Sequence, residues 1–325
     1  MTAAARPSFG MDPELQRKIG FTILALVIYR IGAHIFAPGV NVQAVTDFIR
    51  NSAAAGFFGL YDTLGGGLSR ATVFALGIMP YISSSIIFQL MGGIYPPVGK
   101  MQKDEEGKKK LTQWTRYLTV VIAVTQAYTF AVFTESIPGA VPNASFWTRL
   151  AMVVVLTTGA VFVMWLGEQI TERGIGNGMS LLITFSILDR LWPGLVNMAG
   201  FYKSGVLSFG KILFFGAVLL AVIATVTAMH LAARRIPVQI PRKVMGRGRM
   251  TQGQKTFIPI RLITAGVMPI VFAQTIIIVP GTVASFSQAN WARSLADFFS
   301  PGELPYDLSF AVLILLFSYF YTSII

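Results

Sequence analysis

The sequence contains no cysteine and only two histidines, His34 and His230. The first absence excludes disulfides, thiolate metal sites and cysteine nucleophiles together. The second removes any histidine-rich metal or haem site, because the two imidazoles fall on separate apolar segments. Charge is scarce too: 12% of the 325 residues are Asp, Glu, Lys or Arg, with 14 acids against 26 bases. Paired histidines with a glutamate, a GxSxG elbow and carboxylates facing each other inside an apolar run are all missing. No catalytic residue, metal or cofactor is expected, and the chain does not read as an enzyme.

What is present is apolar. Hydrophobic residues make up 54% of the chain and its mean hydropathy is +0.64, outside the range of ordinary soluble domains. A helix that crosses the hydrocarbon core needs ~20 mostly apolar residues. Segments of that kind start near Gly20, Ala71, Tyr117, Leu150, Met179, Ile212, Leu262 and Leu308. The expected fold class is therefore an all-α polytopic membrane protein. Residues 1 to 18 contain no apolar core, so no cleavable signal peptide is expected.

The net charge of +12 is informative through its placement rather than its size. "KMQKDEEGKKK" lies between spans two and three. Between spans six and seven, Arg234, Arg235, Arg242, Lys243, Arg247, Arg249, Lys255 and Arg261 occur with no acid among them. Cytoplasmic loops retain positive charge, which puts the N-terminus and both basic loops on the cytoplasmic side. DNA is not an expected partner.

Local signals fill in the rest. Asp12, Pro13 and Glu14 read as a capped helix start. Arg30 and His34 lie one turn apart in span one, where Arg30 can either snorkel from the outer half or serve a function. The external segment from about Ala37 to Arg70 is either a surface turn or a stretch that dips into the membrane inside a cavity. A glycine-rich loop can cradle phosphate, but "TERGIGNGMS" follows a helix and lacks the Lys followed by Ser or Thr of a nucleotide loop. Span five is expected to be interrupted by "DRLWPG" after Leu188. In span two, Gly77 and Pro80 fall inside the apolar run, and Ile78, Ile82 and Ile86 recur every fourth residue. Spacing alone assigns those isoleucines to helix packing or lipid contact. Broken helices also mark secondary transporters, but the breaks here are flanked by Ile78, Met79, Ile82, Val267, Met268 and Val271 rather than polar ligands. An aliphatic constriction of this kind resists ions by being hard to wet.

Four stretches, "SRATVFALGIMPYISSSII", "MWLGEQITERGIGNGMSLLI", "RRIPVQIPRK" with "AGVMPIVFA", and "FSYFYT", resemble the bacterial SecY family, the pore subunit of the Sec protein translocase, in family order and spacing. The resemblance implies a clamshell of two pseudo-symmetric halves, here residues 1–205 (spans one to five) and an incomplete 206–325 (spans six to eight), around an hourglass channel. It implies a waist of Ile78, Ile82, Ile183 and Val271. It implies a plug over Phe57, Phe58, Gly59, Leu60, Tyr61, Asp62, Thr63 and Leu64, with "LGGGLS" as its hinge. A lateral gate towards membrane lipid would draw on Ser83, Ser84, Ser85, Gln89, Gln126 and Thr264. The basic loop, about 234–261, would dock the ribosome or the SecA ATPase through Lys243, Arg247 and Arg249. SecE and SecG would be companion subunits, signal-peptide-bearing nascent chains the cargo, and the bacterial cytoplasmic membrane the location. The chain departs from the family pattern in three places: "LITAG" stands where an asparagine is expected early in span seven, "GRGR" replaces a commoner paired arginine, and the sequence stops at Ile325 inside span eight where the family continues through two more spans.

Overall fold

Residues 12–51, 67, 70–143, 145–238, 244–245, 249–250, 256–261, 266, 269–270, 272–274, 276–277 and 304–324 are described in the computed structural model. In chain order the elements are α1 (Pro13–Gly32), α2 (Val42–Asn51), α3 (Met79–Ile94), α4 (Pro96–Lys103), α5 (Glu105–Ser136), α6 (Phe146–Arg173), α7 (Gly178–Lys203), α8 (Phe209–Leu231), β1 (Ala233–Val238), β2 (Val244–Met245), β3 (Arg249–Met250), β4 (Thr256–Arg261) and α9 (Leu304–Ile324). Among the described residues, five helices are long and apolar enough to cross a membrane: α5, α6, α7, α8 and, over Leu304–Ser323, α9. The expected first two spans fall on shorter or more charged helices. α1 carries Glu14, Arg17, Lys18 and Arg30, and α3 is only 16 residues long.

The chain divides into two compact units, Met1–Gly194 with Thr275–Leu308, and Leu195–Gln274 with Ser309–Ile325. The first is built on the α5/α6 antiparallel hairpin. Small residues Ala123, Ala127 and Ala131 recur every fourth position on α5 and are fully buried, while α6 contributes buried Met152, Leu156, Ala160, Val163 and Ile170. Between apolar helices in lipid the drive to associate is close packing and interhelical bonding, which short side chains permit. Asp104 caps α5, its carboxylate accepting from Gly107 N–H at 3.3 Å. At one end of the hairpin Arg116 Nε meets Glu168 Oε1 at 2.8 Å. At the other, Arg149 forms a two-pronged pair with Glu135, Nε lying 3.1 Å from both oxygens. Nineteen residues separate Arg116 from Glu135 on α5, and Arg149 from Glu168 on α6. At ~1.5 Å per residue that is about 28 Å, close to the ~30 Å of a hydrocarbon core.

Several local expectations change. Asp12 stands at the N-cap of α1, but its side chain makes no capping bond; the Gln16 N–H is received by the Asp12 carbonyl at 3.0 Å instead. α1 is steadied by a Glu14–Lys18 pair at 2.8 Å. Part of the external segment forms α2, whose Val45 and Ile49 are buried and whose Phe48 meets Phe133 edge to face. "DRLWPG" does not interrupt span five: α7 runs unbroken through Pro193. A proline removes one backbone bond, whereas ending a helix inside lipid would expose many more.

In the second unit, α8 is predominantly apolar and has no buried residue. The basic loop that follows begins and ends as a two-stranded antiparallel ribbon, β1 on β4, with Arg235 opposite Pro259 and Ile236 opposite Ile258. The Arg235 guanidinium lies over the Phe257 ring at 4.9 Å, a cation–π contact that helps hold the ribbon together. Phe272 packs edge to face on Phe317 of α9 at 5.6 Å.

Candidate functional site

The site is assembled where span two breaks. Residues 71–78 are not helical, and α3 begins at Met79 with Pro80 in its first turn. Proline suits that position, since its missing N–H would have had no partner there. Gly77 has φ +53, in the region open to glycine, which lets the chain turn just before the helix. The irregular backbone is tied to the loop after α1: Val73 N–H donates to the Ile35 carbonyl and Ala37 N–H to the Ala71 carbonyl, both at 2.8 Å, around an antiparallel bridge of Phe36 with Thr72. Gly159 of α6 lies directly beneath, where a Cβ would come within 2.1 Å of the Val73 carbonyl oxygen. The segment is buried in protein, as non-helical backbone at membrane depth must be unless it lines water.

Ile78 is 2% exposed at the N-cap of α3, and Ile82 and Ile86 follow on the same face at 9% each. Ile87, off that face, is exposed. The four-residue recurrence in the sequence thus marks the face turned into the protein rather than to lipid. Ile183 is half-buried on α7. Val271, the plug residues Phe57 to Leu64, Thr264, Lys243 and Arg247 lie outside the described residues, and Arg249 is described only as the β3 backbone partner of Met245.

The polar residues expected at a gate have varied surroundings. Ser84 is fully buried, and its hydroxyl donates to the Thr115 carbonyl of α5 at 2.7 Å. Ser85 Oγ accepts from Gln89 Nε2 at 2.9 Å within α3. Ser83 is half-buried. On α5, Gln126 Oε1 is buried without a hydrogen-bond partner among the described residues. The "GIGNG" turn between α6 and α7 is exposed at Ile175, Gly176 and Asn177 and braced by hydrogen bonds at both ends. Asn177 Oδ1 accepts from Met179 and Ser180 N–H at 3.0 and 3.3 Å, and Thr22 of α1 accepts from Ile175 N–H at 3.2 Å.

Arg30 does not stand alone: its guanidinium pairs with Asp189 of α7. Next to it the Tyr29 hydroxyl and Ser186 Oγ share a hydrogen bond of 2.9 Å. Tyr29 stacks on Phe74 at 5.9 Å, and Phe74 in turn on Phe162 at 5.7 Å. This link from α1 through the break to α6 joins segments far apart in sequence, and two opposite charges in otherwise apolar spans are its visible signal.

A model of the SecY family matches residues 72–325. The chain belongs to the SecY family. It is 40% identical to the protein translocase subunit SecY of Streptomyces griseus, in an alignment covering 96% of this chain and 74% of that relative. This SecY-family chain thus spans about three quarters of that relative's length. Among solved structures, one described as the structure of a protein conducting channel aligns with a TM-score of 0.62 at 18% identity, covering 97% of this chain and 72% of that one. Sec61 in the canine ribosome-channel complex from the endoplasmic reticulum aligns with a TM-score of 0.53 at 19% identity, covering 93% of this chain and 63% of that one. The fold is that of these channels: all-α and polytopic.

Proposed function

We propose that this SecY-family chain is the central channel subunit of a Sec translocase in the bacterial cytoplasmic membrane, with its N-terminus in the cytoplasm. Unfolded polypeptide passes through an aliphatic waist formed by Ile78, Ile82, Ile183 and Val271, and sufficiently apolar segments leave sideways into lipid. The observation that carries this reading is the break in span two: buried irregular backbone over 71–78, with isoleucines aimed inward just beyond it. Branched aliphatic side chains exclude water and ions yet deform around an extended chain. The chain itself performs no bond chemistry. Movement is driven by the SecA ATPase or by a ribosome, docked on the basic loop through Lys243, Arg247 and Arg249; the likeness to Sec61 of a ribosome-channel complex supports a ribosome as partner. Arginine forks suit phosphate and carboxylate partners equally. SecE and SecG complete the channel. Residues 57–64 serve as the plug, and the gate runs along Ser83, Ser84, Ser85, Gln89, Gln126 and Thr264.

A secreted polypeptide stalled part-way through the translocase tests this directly. A photo-crosslinker replacing Ile82 is expected to capture it, and reversing Arg247 and Arg249 to Glu is expected to lower the yield by weakening motor or ribosome binding. A stalled chain that never reaches position 82 would contradict the channel reading; an undiminished yield in the reversal variant would remove Arg247 and Arg249 from the docking site.

A further inference from the structure

The first half of α7 is held along a single stripe. Gly167 of α6 lies against Met179 and Leu182, such that a Cβ there would meet Met179 sulfur at 2.4 Å and a Leu182 methyl at 3.3 Å. Ser186 is bonded to Tyr29, and Asp189 is paired with Arg30. Positions 179, 182, 186 and 189 follow the three-and-four spacing that keeps residues on one helix face. The lower part of the stripe is fixed to α6 by packing, and the upper part to α1 by polar bonds. Ile183 comes one residue after Leu182, about 100° round the helix, so its direction follows from whatever fixes that stripe.

Asp189 is costly where it stands. The backbone of Gly178 packs on Gly167 and Ile170, level with the Arg116–Glu168 pair at one end of the α5/α6 hairpin. From residue 178 to residue 189 an α-helix advances about 16 Å, roughly half of a ~30 Å hydrocarbon core. A carboxylate at that depth persists when a counter-charge holds it. Removing one member of such a pair is worse than removing both, because the survivor is left without compensation.

We infer that the Arg30–Asp189 ion pair, aided by the Tyr29–Ser186 hydrogen bond, fixes the rotation of α7 and thereby aims Ile183 at the waist. The inference rests on the channel reading for the destination of Ile183, but not for the rotation itself. Arg30 and Asp189 are positioning residues: they act on the seal through α7. Their effect is distinct from merely holding two helices together, since packing of Met179 and Leu182 on α6 maintains contact without them.

The absence of cysteine allows a clean test. Ile183→Cys and Thr184→Cys each place a single thiol on α7, about 100° apart, in the assembled translocase in its own membrane. The readout is the ratio of their rates of reaction with a small water-soluble maleimide. Asp189→Asn is expected to change that ratio by about threefold or more, as is the Arg30→Gln, Asp189→Asn double variant, which removes both charges and avoids an unpaired one. The charge-swapped Arg30→Asp, Asp189→Arg variant is expected to restore the ratio to within about twofold, because attraction is regained with the same pair of partners. An unchanged ratio in the double variant overturns the inference, and so does a swap that fails to restore it. Resting ion conductance of Ile183→Ser is a separate readout: no rise there sinks Ile183 as a waist residue while leaving the rotation result standing.

Discussion

At the scale of single residues, a short side chain or a hydroxyl in an apolar helix is defined by what it faces. Ser84, one of the proposed polar gate residues, is buried and donates to the Thr115 carbonyl, which makes it an interhelical tie between α3 and α5 as well. Gly159 faces the Val73 carbonyl so closely that a methyl group cannot enter without moving backbone. Gly159→Ala is expected to destabilise the protein by about 1–3 kcal/mol through overpacking, read as a lowered thermal midpoint in detergent; an unaltered midpoint would show that the break in span two yields freely. The glycine is visible in the sequence, whereas the carbonyl it accommodates comes from a segment 86 positions earlier, between residues 73 and 159. Arg30 was open to two readings for the same reason: its partner Asp189 belongs to another helix. By contrast, the inward turn of Ile78, Ile82 and Ile86 was carried by a local period, and only the choice between protein and lipid needed the fold.

At the scale of elements, legibility follows how local the deciding interaction is. Gly77 and Pro80 announced the break because each acts on its own backbone torsions. Pro193 misled because the sequence shows the bond it removes but not the cost of ending a helix inside lipid. The ribbon β1/β4 was hidden in a segment read only for charge; alternating Arg235 and Pro237 opposite Pro259 and Phe257 is a cross-strand pattern seen once the partner is known. The α5/α6 hairpin has a clamp at each end, and the Glu135–Arg149 pair tests its register. Either charge reversed alone, Glu135→Arg or Arg149→Glu, is expected to lower the unfolding midpoint by placing like charges together at a solvent-screened site. The double reversal is expected to recover most of that loss. Unfolding measured in detergent across the four proteins checks it, and strictly additive losses would show that the pair does not couple the helices.

At the scale of the whole molecule, the proposed seal draws on side chains far apart in sequence: Ile78 and Ile82 beside the break, Ile183 on α7 and Val271 beyond the basic loop. Membership of the SecY family, 40% identity to a translocase subunit and a channel fold set the frame. The family motifs made that frame legible in the sequence, because each motif is a contiguous stretch. The plug and the Val271 side of the waist rest on those motifs alone. In the proposed channel a dry aliphatic collar keeps ions out while remaining open to an extended chain. Its most direct test is the resting ion conductance of planar bilayers containing the translocase with Ile78, Ile82, Ile183 and Val271 all replaced by serine. A several-fold rise over the parent protein is expected, because hydroxyls let the constriction wet; a conductance equal to the parent's would contradict it.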